Sequence, residues 1–292
     1  MSSRKPMIVA NWKMNTTAGQ AAFLFNEIFE KLDYRILRQF QLVLCPPYIA
    51  LERLETAYLN IGDNPPPLWL TLGWDSSGFY YGMNDFVEFC VQDIYPGDEG
   101  AVTGAISAGM LDDSIAAYCL VGHSERRRIF GETDLFIAQK IVSVAEWYIK
   151  PILCVGEDAN TRALGNSEAE AFVCGQIRAS LGQAIADGYE FDDPHIACTI
   201  AYEPVWSIGT GETATPEDAQ AMAHAIREEL DILVGSENAA AMQILYGGSV
   251  NACNVASFEN LPDIDGCLVG GASLDAREFV RLLRNFAEAL PK

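Results

Sequence analysis

Short apolar runs alternate with amphipathic stretches along the whole chain of 292 residues, and this alternation most constrains the fold. An apolar run dense in β-formers predicts a buried parallel strand, and an amphipathic stretch between two runs predicts the helix that connects them. Eight such units in a chain of this length favour a closed (β/α)8 barrel of the α/β class. The predicted strands are Met7–Trp12, Gln41–Cys45, Phe86–Gln92, Ala116–Gly122, Pro151–Val155, Ile196–Tyr202, Met242–Tyr246 and Gly266–Val269.

The helical pattern between these runs supports the same architecture. An open doubly wound sheet is the main alternative, but it would more often carry a glycine-rich phosphate turn after its first strand. That position holds Asn11-Trp12-Lys13 instead, which favours the barrel. We therefore predict a single barrel domain over residues 1–292. The clearest predicted helices are Ala18–Leu32, Glu132–Ile149, Glu168–Asp187, Pro216–Leu233 and Leu274–Ala289.

Composition limits the classes of function. A formal net charge of −21 argues against a nucleic-acid surface, which needs clustered lysine and arginine. No apolar run approaches the length of a membrane span, and the first residues lack the apolar core of a signal peptide. The cysteines show no close pairing, which predicts a reducing cytosol. The histidines have no metal-ligand spacing with a cysteine or another histidine, so we expect no metal.

Polar residues and glycine pairs follow several of the predicted strands at the point where each strand ends. Because the carboxyl ends of barrel strands converge on one rim, and active sites of this fold lie there, we expect these residues to form one site. They are Asn11 and Lys13 after the first strand, His123 after the fourth, Glu203 after the sixth, Gly247-Gly248-Ser249 after the seventh and Gly270-Gly271 after the eighth.

Glu203 is followed by a stiff segment and then by a flexible one. Pro204 fixes its own φ, whereas Gly209 and Gly211 permit unusual backbone angles before a helix opens at Thr215-Pro216. This order predicts a hinged lid beside a carboxylate base. For a lone glutamate, the alternative is a solvated side chain on a surface loop.

His123 precedes a predicted helical turn, whose N-terminus disfavours positive charge, so we expect a neutral imidazole near pH 7. A carboxylate base and a neutral N–H donor suit the movement of a proton at a carbon beside a carbonyl. Taken singly, His123 could also be a structural histidine. Lys13 is expected in the barrel mouth, where a bound phosphate or an ion pair with Glu125 would offset its charge.

The two glycine turns predict a phosphate site. Unpaired backbone N–H groups where a strand leads into a helix can point at an anion, and glycine allows its close approach. Each turn alone could be no more than a tight connection. Together, after the last two strands, they match the recurring phosphate site of (β/α)8 enzymes.

The chain resembles the triosephosphate isomerase family along nearly its whole length. The resemblance implies a (β/α)8 TIM barrel that interconverts dihydroxyacetone phosphate and glyceraldehyde 3-phosphate in glycolysis and gluconeogenesis. It also implies a cofactor-independent homodimer. The motifs that carry it are ANWKMN (10–15), CPP (45–47), GHSERR (122–127), FGETD (130–134), CVGE (154–157), AYEPVWSIGTG (201–211), ATPEDAQ (214–220), YGGSVN (246–251) and DIDGCLVGGASL (263–274).

The resemblance implies a role for each matching residue. Glu203 resembles the base that moves the proton between C1 and C2, and His123 resembles the neutral electrophile. Lys13 and Asn11 resemble the groups at the substrate oxygens, and Glu125 resembles the partner of Lys13. Substrate binding is implied for Asn11, Lys13, Gly209, Ser249, Gly270 and Gly271, an apolar clamp over the base for Ile208 and Leu268, and a latch for the closed lid for Tyr246.

Three features depart from the family pattern. The acidic residue that usually follows the Thr103-Gly104 pair is Ala105, so its customary partner at Arg126 is expected to lack that mate. The usual Gln-Asn after the third strand is Gln92-Asp93. An insertion of about residues 60–85 separates the second helix from the third strand. It is predicted to contain a hairpin around Asp75-Ser76-Ser77-Gly78 that packs on the barrel's underside or on another subunit.

Two other functions remain open from sequence. The same acid–base groups would serve an isomerase acting on a four-carbon ketose phosphate. A barrel that binds sugar phosphate without turnover is also conceivable, but binding alone requires neither Glu203 nor His123.

Overall fold

The computed structural model describes residues 4–63, 87–208 and 213–290. These residues form eight parallel strands that close into a barrel in chain order, with the first strand paired to the last. The predicted (β/α)8 barrel is confirmed. The strands are β1 (Met7–Asn11), β2 (Gln41–Cys45), β3 (Val87–Val91), β4 (Ala116–Val121), β5 (Lys150–Val155), β6 (Thr199–Tyr202), β7 (Ile244–Tyr246) and β8 (Gly266–Val269).

Helices in the described residues surround the barrel, and side-chain caps begin several of them. Thr17 and Gln20 form a capping box, and Thr133, Thr215 and Asp275 accept hydrogen bonds from first-turn N–H groups. The helices are α1 (Ala18–Lys31), α2 (Tyr34–Leu37), α3 (Leu51–Asp63), α4 (Ser124–Phe130), α5 (Asp134–Ala145), α6 (Ala159–Leu164), α7 (Asn166–Ile177), α8 (Gln183–Ala186), α9 (Pro216–Val234), α10 (Ser236–Ala241), α11 (Ala256–Glu259) and α12 (Ala276–Ala289).

Buried side chains form two layers, because successive residues of a strand point to opposite faces of the sheet. One layer fills the barrel interior and includes Val9, Val43, Leu120 and Ile152. The other packs between the strands and the helices, as Ile8 and Phe25 do. The barrel is therefore a packed core, and open space is left at its rim.

Two strands begin two or three residues later than predicted. Ile196 lies before β6, where its carbonyl accepts a hydrogen bond from the Tyr189 hydroxyl and its N–H donates to the Asp193 carbonyl. Met242 lies before β7, because its N–H caps α10 through the Asn238 carbonyl. At the start of each apolar run, a local turn or cap therefore occupies backbone groups that would otherwise be available for strand pairing.

The helix predicted over Glu168–Asp187 contains a π-helical turn at Arg178–Gly182, between α7 and α8. The Ser180 hydroxyl donates to the Gln176 carbonyl at 2.6 Å. In a regular α-helix, this carbonyl would accept only the backbone N–H four residues later. Such side-chain competition for a helical carbonyl bends or widens a helix locally.

The insertion is described only at its start. α3 extends to Asp63, so residues 60–63 are helical rather than part of a link. The predicted hairpin lies outside the described residues. Within the described ranges, no helix has both the length and the apolar character needed to cross a membrane.

Candidate active site

A cavity of about 470 Å³ opens at the rim formed by the carboxyl ends of the strands. The structure brings most of the predicted site residues to this cavity. Its walls include Asn11, Lys13, His123, Glu203, Ile208, Ser249, Leu268, Gly270 and Gly271. Glu125 contacts two of these residues, Tyr246 lies behind the wall in the core, and Gly209 is outside the described residues.

Glu203 lies directly after β6 and is almost fully buried. Its N–H donates to the Val155 carbonyl at 2.7 Å, which continues the barrel register by one residue. Both carboxylate oxygens are bound: Oε1 lies 3.0 Å from Nε2 of His123, and Oε2 accepts the Ser124 N–H at 2.9 Å.

Two neighbouring glycines pack against Glu203, and the closer of them, Gly156, leaves no room for a side chain. A Cβ on Gly156 would lie 1.7 Å from the Glu203 carbonyl oxygen, and a Cβ on Gly247 would lie 3.1 Å from Cγ of Glu203. Larger residues at either position would displace the glutamate. The CVGE and YGGSVN motifs therefore help to place the carboxylate.

His123 caps α4, and this fixes the role of each ring nitrogen. Nδ1 accepts the Glu125 N–H at 3.2 Å, so it carries no proton in this arrangement. The ring proton then lies on Nε2, which faces Glu203. His123 thus presents its Nε2–H as a donor at the cavity wall.

Glu203 and His123 shift each other's pKa. Burial acts against the charged form of His123, but the neighbouring Glu203 carboxylate outweighs it and raises the pKa of His123. Burial likewise acts against ionisation of Glu203, yet His123 and then the Ser124 N–H lower its pKa below the ordinary value. Glu203 is therefore ionised at neutral pH, as a base must be.

Lys13 is held in a strained conformation at the cavity wall. Its φ is +52°, a left-handed value that non-glycine residues rarely adopt. Its N–H donates to Oδ1 of Asn11 at 2.9 Å, and its ammonium group lies 2.8 Å from Oε1 of Glu125. The ion pair considered from sequence is present, and the ammonium group still faces the cavity.

The glycine turns lie opposite Lys13. Gly270 is close enough that an added Cβ would lie 3.4 Å from Cε of Lys13. Ser249 donates its hydroxyl to the Ser207 carbonyl at 2.8 Å, which ties the β7 turn to the segment leading to residues 209–212. A positive side chain and two glycine turns therefore border one part of the cavity.

The segment after Glu203 is anchored to a buried carboxylate that sequence analysis gave no role. Oε1 of Glu157 accepts hydrogen bonds from the Trp206 indole at 2.8 Å and the Tyr202 hydroxyl at 3.1 Å. The pKa of Glu157 is raised by burial.

Tyr246 is fully buried beside Phe258, and burial raises its pKa to about 12.

Other functional contacts were also missed from sequence. The side-chain amide of Gln92 donates to the carbonyls of Lys13 at 2.8 Å and Cys45 at 3.2 Å. The Ser124 N–H was detectable in principle, because it is the first N–H of the helix that follows His123. The contacts of Gln92 with Lys13 and Cys45 depend on how neighbouring strands pair, and no local sequence pattern shows that pairing.

Arg126 is not left without acidic partners. It lies 2.9 Å from Oδ2 of Asp93 and 2.6 Å from Oε1 of Glu132. Arg126 therefore has acidic partners although position 105 offers none, and one of these partners, Asp93, is itself a departure from the family pattern.

The fold and the site together define a (β/α)8 barrel of the isomerase type, in which a buried glutamate and a histidine pair at the rim. A family model described as triosephosphate isomerase matches residues 6–64 and 79–286. The triosephosphate isomerase of Chloroflexus aurantiacus is 41% identical over 280 residues, covering 96% of this chain and 98% of that protein. The corresponding proteins of a Roseiflexus species and Thermus thermophilus are 42% and 40% identical over 281 residues each, covering 96% of this chain and 97% and 98% of those proteins. The chain belongs to the triosephosphate isomerase family.

Proposed function

We propose that the protein interconverts dihydroxyacetone phosphate and glyceraldehyde 3-phosphate. The observation that carries this proposal is the pairing of an ionised, buried Glu203 with an Nε2–H of His123 in a cavity bordered by Lys13. An ionised carboxylate can accept a proton from carbon, and a fixed N–H donor can stabilise the oxygen charge that then develops.

In the proposed reaction, Glu203 removes a proton from C1 of the ketose. The C–H electron pair forms the double bond of an enediolate, and Nε2–H of His123 and the Lys13 ammonium stabilise its oxygens. Glu203 then returns the proton to C2, while the hydroxyl and carbonyl oxygens exchange a proton. The enzyme ends the cycle in its starting protonation state, and Asn11 holds the Lys13 backbone throughout.

The phosphate group is assigned to the part of the cavity beside the glycine turns. Backbone N–H groups of Ser249, Gly270 and Gly271 and the Lys13 ammonium are suited to an anion there. Local donors are needed because the chain as a whole is strongly acidic. Gly209 is proposed as a further donor.

The segment that follows Glu203 is proposed to act as a lid. Ile208 and Leu268 both line the cavity, so closure of the lid would clamp Glu203 between apolar side chains, exclude water and raise the basicity of the carboxylate. Tyr246 is proposed to latch the closed lid. Anchoring of Trp206 by Glu157 gives the segment a fixed base from which to move.

We further propose that the protein is a homodimer. Met14 follows Lys13 directly and is 96% exposed, and Ile49 and Val102 are also exposed large apolar residues. Apolar side chains this exposed beside the rim suit a symmetric contact between subunits. The free thiols of all eight cysteines fit a reducing compartment.

A turnover assay with three-carbon and four-carbon ketose phosphates tests the proposed function. We expect efficient isomerisation of dihydroxyacetone phosphate and much weaker isomerisation of the four-carbon compound. A preference for the four-carbon compound would redefine the substrate. Tight binding of both without turnover would contradict the proposed activity.

A further inference from the structure

Four charged side chains form a closed cluster behind the cavity wall. Oδ1 of Asp93 lies 2.5 Å from the Lys140 ammonium, and Oδ2 lies 2.9 Å from Nε of Arg126. Oε1 of Glu132 lies 2.6 Å from each of the same two cations. Each acid therefore bridges both bases, and the cluster carries no net charge when both acids are ionised.

Burial makes each member of this cluster depend on the others. The side chain of Lys140 is 1% exposed and that of Glu132 is 4% exposed. An unpaired charge at such depth is costly, and removing one partner of a buried pair leaves the other uncompensated. Neutralising Asp93 would leave two cations sharing the single carboxylate of Glu132.

The cluster reaches Lys13 by two routes. Along the first, Asp93 follows Gln92, whose amide holds the Lys13 carbonyl at 2.8 Å. Along the second, Arg126 follows Glu125 in α4, and Glu125 holds the Lys13 ammonium at 2.8 Å. One route holds the backbone of Lys13 and the other holds its charge.

The backbone of Lys13 needs such support. Its left-handed conformation is strained, and strain of this kind persists only where the surroundings over-determine it. The N–H of Lys13 is held by Asn11 and its carbonyl by Gln92, so both polar backbone groups are fixed by side chains. A shift of Gln92 would release one of these two restraints.

We propose that Asp93 is a positioning residue for Lys13: by bridging Lys140 and Arg126, it fixes Gln92 and Glu125 in the places from which they hold the lysine for phosphate. This inference rests on the proposed function. Asp93 contacts no substrate and acts only through the two neighbouring residues. Its loss therefore weakens phosphate binding and, because Lys13 is also proposed to stabilise the enediolate, slows the chemical step as well.

The charge of Asp93 itself responds to pH. Burial raises its pKa to about 6, Glu132 adds to this effect, and Lys140 and Arg126 oppose it. Tyr48 and Cys119 also face this carboxyl group. As the pH falls through this value the wild-type protein loses the Asp93 charge and should come to resemble an Asp93→Asn variant.

The test compares Asp93→Asn with wild type in KM, kcat and inhibition by inorganic phosphate. We expect KM and the phosphate inhibition constant to rise about 3- to 10-fold at pH 7.5, equivalent to one hydrogen bond, and kcat to fall as well. The inhibition constant reports phosphate binding without the chemical step. The ratio between variant and wild type should shrink below about pH 6, because the wild-type Asp93 is then protonated.

Glu229→Gln is the matched control. Glu229 is a buried carboxylate paired with Arg178 at 2.6 Å on the outer helices, away from the cavity. It should lower stability and leave KM and phosphate inhibition unchanged. If Asp93→Asn behaves in the same way, the cluster is only structural and the proposal is overturned.

Gln92→Met provides a second variant that leaves the charge cluster intact. It removes the amide that holds the Lys13 carbonyl, so it should raise the phosphate inhibition constant without the pH dependence. Unchanged phosphate affinity in this variant would also overturn the proposal. Should the wild type not isomerise triose phosphate, calorimetric titration with inorganic phosphate still decides the role of Asp93 independently.

Discussion

Glu203 and His123 share a hydrogen bond of 3.0 Å between Oε1 and Nε2. The pair couples the proposed base to the proposed electrophile before any proton moves. Because the Glu125 N–H occupies Nδ1, the shared proton can lie only on Nε2. When Glu203 turns to a substrate, His123 loses its neighbouring negative charge, while its burial and its position at the start of α4 remain. Its neutral form is then favoured during the reaction.

Replacing Glu203 should lower the pKa of His123. The carboxylate raises that pKa in the wild type, so its removal in Glu203→Gln leaves burial as the main influence, and burial acts downward. An NMR titration of His123 measures the shift. Glu229→Gln is the control, because it leaves Glu203 in place beside His123. A higher His123 pKa in Glu203→Gln would contradict the coupling.

Replacing Gly270 with alanine should weaken binding of phosphate ligands. The new Cβ would lie 3.4 Å from Cε of Lys13 and take up space in the cavity. We expect KM to rise about 3- to 10-fold with little change in stability. Gly175→Ala is the control, because no atom lies within 4 Å of its Cβ and α7 should be slightly stabilised. Equal KM values for the two variants would argue against a phosphate at Gly270.

Replacing Glu259 with glutamine should stabilise the protein increasingly as the pH rises. Burial, followed by the charge of Asp265, raises the pKa of Glu259 to about 8. Its Oε2 is buried without a hydrogen-bond partner among the described residues. The unfolded chain releases this proton at a lower pH, so ionisation opposes folding progressively from about pH 5 to about pH 8.

Denaturant unfolding at several pH values measures this effect. The advantage of Glu259→Gln over wild type should reach about 1–3 kcal/mol near pH 8, the cost of an unsatisfied buried acceptor, and should be small near pH 5. An advantage that is constant over this range would show that the Glu259 charge is not involved.

Replacing Met14 with arginine should separate the proposed subunits. Met14 is almost fully exposed next to Lys13, so a dimer contact there would bury it and an introduced charge would oppose that burial. Sedimentation should show a shift toward monomer together with lower activity. Ile232→Arg introduces the same charge at an exposed residue of α9 and should keep the wild-type mass. A Met14→Arg variant that sediments as wild type would place the contact elsewhere.

The barrel was predictable from sequence because its strands and helices are each indicated by a pattern within a short, continuous segment. Strands such as Gln41–Cys45 and Gly266–Val269 have the predicted bounds, since alternating apolar runs and helical periodicity report directly on the two layers of core. The helix starts at Ala18 and Pro216 were equally accessible, because Thr17 and Thr215 are strong N-caps.

The contacts that orient the site residues were not predictable in the same way. The left-handed φ of Lys13, the reach of Gln92 and the two partners of Glu203 all depend on groups from different strands. Arg126 was expected to lack its customary mate at Ala105, and the motif did not show that Asp93, from the end of another strand, and Glu132 contact it instead. Sequence motifs named the residues, whereas tertiary packing sets their orientation.

The most direct test of the central claim is the turnover of Glu203→Gln with dihydroxyacetone phosphate. The amide keeps the shape of the side chain but cannot accept the proton. We predict that kcat falls by at least the roughly 10²- to 10⁴-fold that general-base catalysis supplies, while affinity for phosphate ligands changes much less. Near-wild-type kcat in the folded variant would show that another group removes the proton.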